Sequence, residues 1–267
     1  MVTAVPRPIR LAVQLYPQHA GYPAIRDTVS RLEDLGVDIV FNWDHFYPLS
    51  GDRDGLHFEA WTVVAAIAEQ TDRIEFGTLV NCNSYRNPNL HADMARTVDH
   101  ISAGETGAGR FIFGIGAGWY EKDYREYGYE FGTVGERLDE LAANLPVIEN
   151  RWSKINPSPT HKIPVLVGGG GEKKTLRLVA KHADIWHSFS DPVALERKLP
   201  ILAAHALDVG RDVAEIEVSV ELDRRSSEEV ERMKDVGATL FTIGISGPDY
   251  DLTEVRHWLA WRDAQNA

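Results

Sequence analysis

The sequence predicts one (β/α)8 barrel spanning residues 1–267. Three observations carry that expectation. A chain of 267 residues suits a single barrel of this kind. Short apolar runs alternate with longer amphipathic stretches, eight of each, which argues for a parallel sheet and, at that count, for closure. Polar and glycine-rich residues gather at the carboxyl ends of the runs, where a parallel barrel has its active-site mouth. A doubly wound open sheet is the architectural alternative.

The elements follow in order. Arg10 to Leu15 is the first strand, ending at Tyr16-Pro17-Gln18. Tyr22 to Leu35 sets Ile25, Val29, Leu32 and Leu35 at helical spacing. Val37 to Phe41 follows Gly36, is apolar except for Asp38, and reads as a strand buried on both faces. Glu59 to Gln70 is a helix, Ile74 to Val80 the third strand, and Pro88 to Ser102 a helix opened by proline. Arg110 to Ile115 is the fourth strand and Gly135 to Arg151 a long helix. Ile163 to Val167, Glu172 to His182, Asp184 to His187 and Pro192 to Asp208 continue the alternation. Glu215 to Val220, Ser226 to Val236, Thr239 to Ile243 and Thr253 to Ala264 complete it. Two loops, Tyr47 to His57 and Trp152 to Lys162, are long enough to suggest a functional role.

Composition narrows the function. Lys and Arg number 28 against 40 Asp and Glu, a formal net charge of −12. Such a surface repels nucleic acid and anionic membranes unless cations cluster, and only Lys173-Lys174 stands out. The single cysteine, Cys82, excludes an intrachain disulfide and a multi-cysteine metal site. It suits a reducing cytoplasm. Met1 to Pro8 lacks the apolar core of a secretory signal, and no apolar run is long enough to span a bilayer. The partner expected is a small molecule, with neither nucleic acid nor membrane.

Four strand ends carry chemistry. Asp44-His45 follows the second strand, so His45 can move a proton or bond a ligand oxygen, with Asp44 orienting it or making a second contact. The plain alternative is a helix-capping Asp beside a packed histidine. After the third strand, Leu79-Val80-Asn81-Cys82 turns abruptly polar and could meet a ring or its side chain; a strand simply ending would look the same. In Gly114-Ile115-Gly116-Ala117-Gly118-Trp119 the glycines let backbone approach a ligand. It resembles a dinucleotide fingerprint only superficially, since Trp119 occupies the last position. Trp119 reads as a pocket wall, or as core. Gly168-Gly169-Gly170-Gly171 follows a strand and opens a helix, where free amides favour phosphate; a tight turn is the alternative. None of the histidines forms H-x-H or H-E-x-x-H, so no metal site is expected.

Taken in order, these stretches resemble the luciferase-like monooxygenase superfamily, and within it the deazaflavin (coenzyme F420)-dependent oxidoreductases. The resemblance rests on Gly36 through Phe46, Ile74 through Val80 leading to Tyr85-Arg86-Asn87-Pro88, Gly114 through Trp119, Tyr124 to Gly128, Arg137, Gly168-Gly169, Ala183-Asp184 and Gly210-Arg211-Asp212. It covers nearly the whole chain. It implies a cofactor lying across the barrel mouth with its phosphate in the late glycine loop. Asp44 and His45 would contact the ring side. Leu79-Val80 would form the bulge, often a non-prolyl cis peptide, that backs the ring. Asn81 and Cys82 would line the ring edge, and Gly116, Ala117, Gly118, Trp119 and Gly168 to Gly171 would hold the ribityl and phosphate regions. The implied activity is two-electron hydride transfer to or from a small organic substrate, with His45 as the catalytic residue. The family's sugar-phosphate dehydrogenases carry Glu where Trp119 stands and Trp where Leu49 stands, which argues against a glucose-6-phosphate substrate. A homodimer rests on the resemblance alone. The rival readings are an FMN-dependent monooxygenase on the same barrel, a non-catalytic deazaflavin-binding protein and, last, a metal-dependent hydrolase.

Overall fold

The structure is a computed structural model, and it describes residues 7–104, 107–223 and 225–267. Its sheet is wholly parallel. In chain order the strands are β1 (Arg10–Tyr16), β2 (Ile39–Asn42), β3 (Glu75–Thr78), β4 (Asn81–Cys82), β5 (Phe111–Gly116), β6 (Val165–Gly168), β7 (Ile185–Ser188), β8 (Glu217–Glu221) and β9 (Ala238–Ser246). Neighbours run β3-β2-β1-β9-β8-β7-β6-β5-β4, and a further pairing of β3 with β5 closes the ring. The expected barrel is therefore present, its third stave made of two pieces.

That split corrects the continuous strand expected over Ile74 to Val80. β3 pairs with the start of β5 through Phe76 and Phe111, then Gly77 and Ile112. β4 pairs with its end through Asn81 and Ile115, then Cys82 and Gly116. Between them the Leu79–Val80 peptide is cis. The Leu79 N–H donates to the Asn42 carbonyl at 2.7 Å, and its carbonyl accepts from Gln14 Nε2 at 2.5 Å. The staves on either side lie very close. A Cβ on Gly114 would stand 1.9 Å from the Thr78 carbonyl oxygen, so only glycine fits there.

Nine helices are seen among the described residues: α1 (Tyr22–Asp34), α2 (Ala60–Gln70), α3 (Pro88–Ala103), α4 (Glu121–Tyr127), α5 (Val134–Trp152), α6 (Thr175–His182), α7 (Pro192–Asp208), α8 (Ser227–Asp235) and α9 (Thr253–Asn266). Sequence signals set several of their starts. Glu59 caps α2 instead of belonging to it, accepting from the Thr62 N–H. Thr133 with Glu136, and Ser226 with Glu229, form reciprocal capping boxes at α5 and α8. Two corrections matter for the site. α4 was not anticipated, and α6 begins at Thr175 instead of Glu172, so the four glycines precede the helix by a full turn. No described helix is long and apolar enough to cross a membrane.

The core has two layers. Ala12, Ile39, Phe41, Leu79, Ile112, Leu166, Ile185 and Leu240 fill the barrel interior. The other faces of the strands, including Leu11, Val13 and Leu15 on β1, pack against the helices. Burying each such Leu or Ile stabilises by roughly 1.5–3 kcal/mol. At the amino ends of the strands, Arg10 pairs with Glu75 and with Glu217. Beside it Asp38 accepts from the Leu11 N–H and from Arg262 Nη1, both at 2.7 Å.

Candidate active site

The carboxyl ends of the strands surround a cavity of about 500 Å3. Of the residues expected at the site, Asp44, His45, Leu79, Val80, Asn81, Cys82, Gly116, Ala117, Gly118, Trp119, Gly168, Gly169 and Gly171 all line it. Gly170 does not; it faces a neighbouring surface groove.

His45 stands at the centre of one wall. Its Nδ1 lies 2.7 Å from Asp123 Oδ2. A carboxylate only accepts, so Nδ1 carries the proton and donates. Asp123 is fully buried and also accepts from the Phe46 N–H and the Tyr85 hydroxyl, both at 3.2 Å. Nε2, on the opposite edge of the ring, has no hydrogen-bond partner among the described residues. Trp43, Trp119 and Tyr120 meet the imidazole edge-on, with centroids 5.5–6.0 Å away, and fix its plane. The ring is thus held at one nitrogen and open at the other, the arrangement needed by an acid–base group.

Asp44 was expected to orient His45 or to make a second contact, and the first of these is corrected. Its two oxygens accept from Arg86 at 2.5 and 3.0 Å, and Oδ2 also accepts from the Cys82 N–H. Arg86 reaches on to Glu59 at 2.7 Å. Asp44 is 1% exposed, so its carboxylate ties the end of β2 to β4 and to the start of α2, while Asp123 does the orienting. Neither Asp123 nor its role was legible. α4 is seven residues long, and the partners stand 78 positions apart.

The opposite wall is mostly backbone. A Cβ on Gly116 would lie 2.8 Å from a Val80 methyl, and one on Gly168 2.9 Å from the other. These two glycines and Val80 form one smooth surface. Gly118 has φ +78°, and a Cβ there would strike the Tyr124 hydroxyl at 2.1 Å and Cys82 Sγ at 2.6 Å. Cys82 itself lies 3.1 Å from that hydroxyl, and burial pushes its thiol up to about 12. It is a neutral packing group and no nucleophile. Asn81 donates to the Gly114 carbonyl, but its Oδ1 is buried without a partner among the described residues. Such an acceptor calls for a donor on a bound ligand.

At the far end, Gly169 (φ +133°) turns the chain, and its carbonyl accepts from Trp186 Nε1. Lys198 Nζ stands over Gly170, where a Cβ would meet it at 2.5 Å, and donates to Ser190 Oγ. Nearer the entrance, Tyr16 stacks on Trp43 at 4.3 Å, and Trp43 Nε1 donates to His57 Nε2 at 2.9 Å. Burial, and after it the neighbouring His45, hold His57 down at about 4, so it is neutral and accepts. The Tyr47 to His57 loop is tied down by Arg53 on the Tyr120 hydroxyl and by Lys122 on Asp54. Sequence reasoning missed Gln14, Lys198 and Phe189. Among the described residues no group of three or more His, Cys, Asp or Glu side chains could hold a metal ion.

Comparison with known proteins agrees with this architecture. An uncharacterized protein of Mycobacterium tuberculosis is 28% identical over 229 residues, 78% of this chain and 77% of its own. An F420-dependent glucose-6-phosphate dehydrogenase of Amycolatopsis mediterranei is 30% identical over 173 residues, 57% of this chain but only 48% of the relative. Among solved structures, an F420-dependent secondary alcohol dehydrogenase in complex with an F420-acetone adduct superimposes with a TM-score of 0.80 at 18% identity, covering 92% of this chain and 96% of that one. The profile described as luciferase-like monooxygenase matches residues 4–236. The chain, a closed barrel with its site built from the third, fourth and fifth staves and from His45, belongs to the luciferase-like monooxygenase family.

Proposed function

We propose that this family member is an oxidoreductase that uses coenzyme F420 and acts on a small organic substrate. One observation carries the proposal. His45 faces the cavity with a free Nε2 while buried Asp123 holds its Nδ1, opposite a smooth wall of Val80, Gly116 and Gly168 suited to a flat ring. F420, when bound, supplies or accepts a hydride. Both named relatives described above are F420-dependent, which supports the choice of cofactor.

The residues present fit such a group. Val80 with Gly116 and Gly168 would back the ring. Asn81 Oδ1 would accept from a ring N–H. The amides of Gly169 to Gly171, with Thr175 and Lys198, would hold the phosphate. His45 would take the proton of a substrate hydroxyl or give one to a carbonyl oxygen through Nε2, and Asp123 would stabilise the imidazolium so formed. Leu49 and the aromatic rings of Tyr16, Trp43 and Trp119 would exclude water around the reacting carbon.

The family's description as a monooxygenase favours a second reading, with FMN in the same cleft. Titrating the purified protein with F420 and with FMN, followed by tryptophan fluorescence, separates the two. Trp43 and Trp119 line the cavity and report occupancy. F420 is expected to quench at micromolar concentration and FMN only weakly. The reverse order would overturn the proposal.

A further inference from the structure

Three donors share one buried carboxylate beside the cavity, and two of them share one oxygen. Asp123 Oδ2 accepts from His45 Nδ1 at 2.7 Å and from the Tyr85 hydroxyl at 3.2 Å, while Oδ1 takes the Phe46 N–H. Tyr85 comes from neither partner's element. It ends the single 3-10 turn Asn83–Tyr85 that follows β4. The residue is 5% exposed, and its ring packs among Phe46, Tyr129 and Tyr124, with centroids at 4.8, 5.1 and 5.2 Å. Burial, and after it Cys82 and Asp123, push the hydroxyl above the ordinary tyrosine range, so it stays protonated and donates.

A carboxylate bound to His45 alone would hold the imidazolium at full strength. A group that takes a proton and then returns it works best when neither state is held too firmly. A second donor on the same oxygen draws off part of the negative charge that the imidazole feels. We infer that Tyr85 is a positioning residue of the acid–base pair: its hydroxyl fixes the Asp123 carboxylate and tempers its pull on His45, so that His45 releases the proton it takes up. The inference rests on the acid–base reading of His45 and goes further, because it adds a third member that touches neither substrate nor reacting atoms. The other ionisable groups around the pair are already engaged: Asp44 with Arg86, the Tyr120 hydroxyl with Arg53, Cys82 with Tyr124, and His57 with Trp43. None of these bonds reaches Asp123.

The test reads His45 directly, in the cofactor-free protein, from the pH midpoint of its ring-proton NMR signal, assigned by its loss in His45→Asn. Tyr85→Phe keeps the ring and its packing and removes only the donor. Asp123 retains two of its three donors, so the fold should hold. The midpoint should rise by about 0.5–1 pH unit. 3-Fluorotyrosine at position 85, a stronger donor, should lower it. Asp123→Asn removes the charge through which Tyr85 acts, and in that background Tyr85→Phe should move the midpoint by less than about 0.2 pH unit. Tyr124→Phe removes a buried hydroxyl that meets Cys82 and not Asp123, and should leave the midpoint in place. In turnover with F420, the limb of the pH profile that follows His45 should shift with the NMR midpoint. An unchanged or lowered midpoint in Tyr85→Phe, a rise that survives Asp123→Asn, or an equal rise in Tyr124→Phe would overturn the Tyr85 assignment and leave the F420 reading intact. Failure to bind F420 would overturn that reading, while the expected NMR shifts would still support the role of Tyr85.

Discussion

Each end of the barrel carries buried charge, and the two ends use it differently. At the base, Arg10, Glu75, Glu217, Asp38 and Arg262 satisfy one another, and Asp38 also takes the Leu11 N–H. At the mouth, Asp44, Arg86 and Glu59 form a similarly closed set. Beside it, however, the His45–Asp123 pair stops short, with one ring nitrogen left open to a cavity. The base is a fastening. The mouth contains a fastening and, next to it, a deliberately incomplete network. Incomplete polar groups cost stability, so they mark where function is bought.

The comparison can be broken from either side. The largest effect is expected from Arg86→Met. It strands the Asp44 carboxylate, whose side chain is fully buried, and should destabilise by about 3–5 kcal/mol in denaturant unfolding. A loss below about 1 kcal/mol would mean that the mouth does not depend on this fastening. Next comes His45→Asn, whose amide nitrogen can still donate to Asp123. Stability and F420 affinity should stay within a few-fold while turnover falls by about 10²–10⁴, read as kcat at saturating cofactor. Unchanged turnover would remove His45 from the chemistry. Arg10→Met should do the opposite. It costs about 2 kcal/mol of stability, less than Arg86 because the Arg10 side chain is 22% exposed, and it should leave cofactor binding untouched.

The last test is a pH dependence carried by buried histidines at the mouth. His57 is held down at about 4 and His187, at the end of β7, at about 3, both by burial. Above the ordinary histidine value of about 6.5 both are neutral in folded and unfolded chains, and their contribution is fully present. As the pH falls toward 4, the unfolded chain takes up protons that the folded chain refuses. Stability then drops by up to about 1.4 kcal/mol per pH unit for each group. His57→Gln keeps an acceptor for Trp43 and should flatten the slope by about one proton between pH 6 and 4. Unfolding midpoints at successive pH values measure this. A slope unchanged in the variant would show that acid acts elsewhere.

How much of this could be read from the sequence depends on how local each feature is. The strands were legible because buried parallel strands are continuous apolar runs, and glycines such as Gly114 and Gly116 because the sequence turns abruptly to small residues there. The break between β3 and β4 was not readable from the pattern itself. Ile74 to Val80, with Ile74, Phe76, Leu79 and Val80, reads as one strand, and only the register against β5 divides it. α4 was missed because Glu121–Tyr127 is short and two of its residues are tyrosines with no apolar stripe. Asp44 attracted attention by standing next to His45, yet its carboxylate is taken up by Arg86 and the Cys82 N–H. Arg86 stood within a stretch that matched the family, but its grip on Asp44 is a fact of three dimensions.

The His45–Asp123 contact also has a meaning for how the molecule comes to exist. It joins β2 to a helix that follows β5, so nothing made before residue 123 can contain it. Contacts of such sequence separation form late and slowly in a folding chain. The pair can therefore close only after half the barrel has been made. A chain arrested partway through synthesis carries the histidine without the carboxylate that aims it.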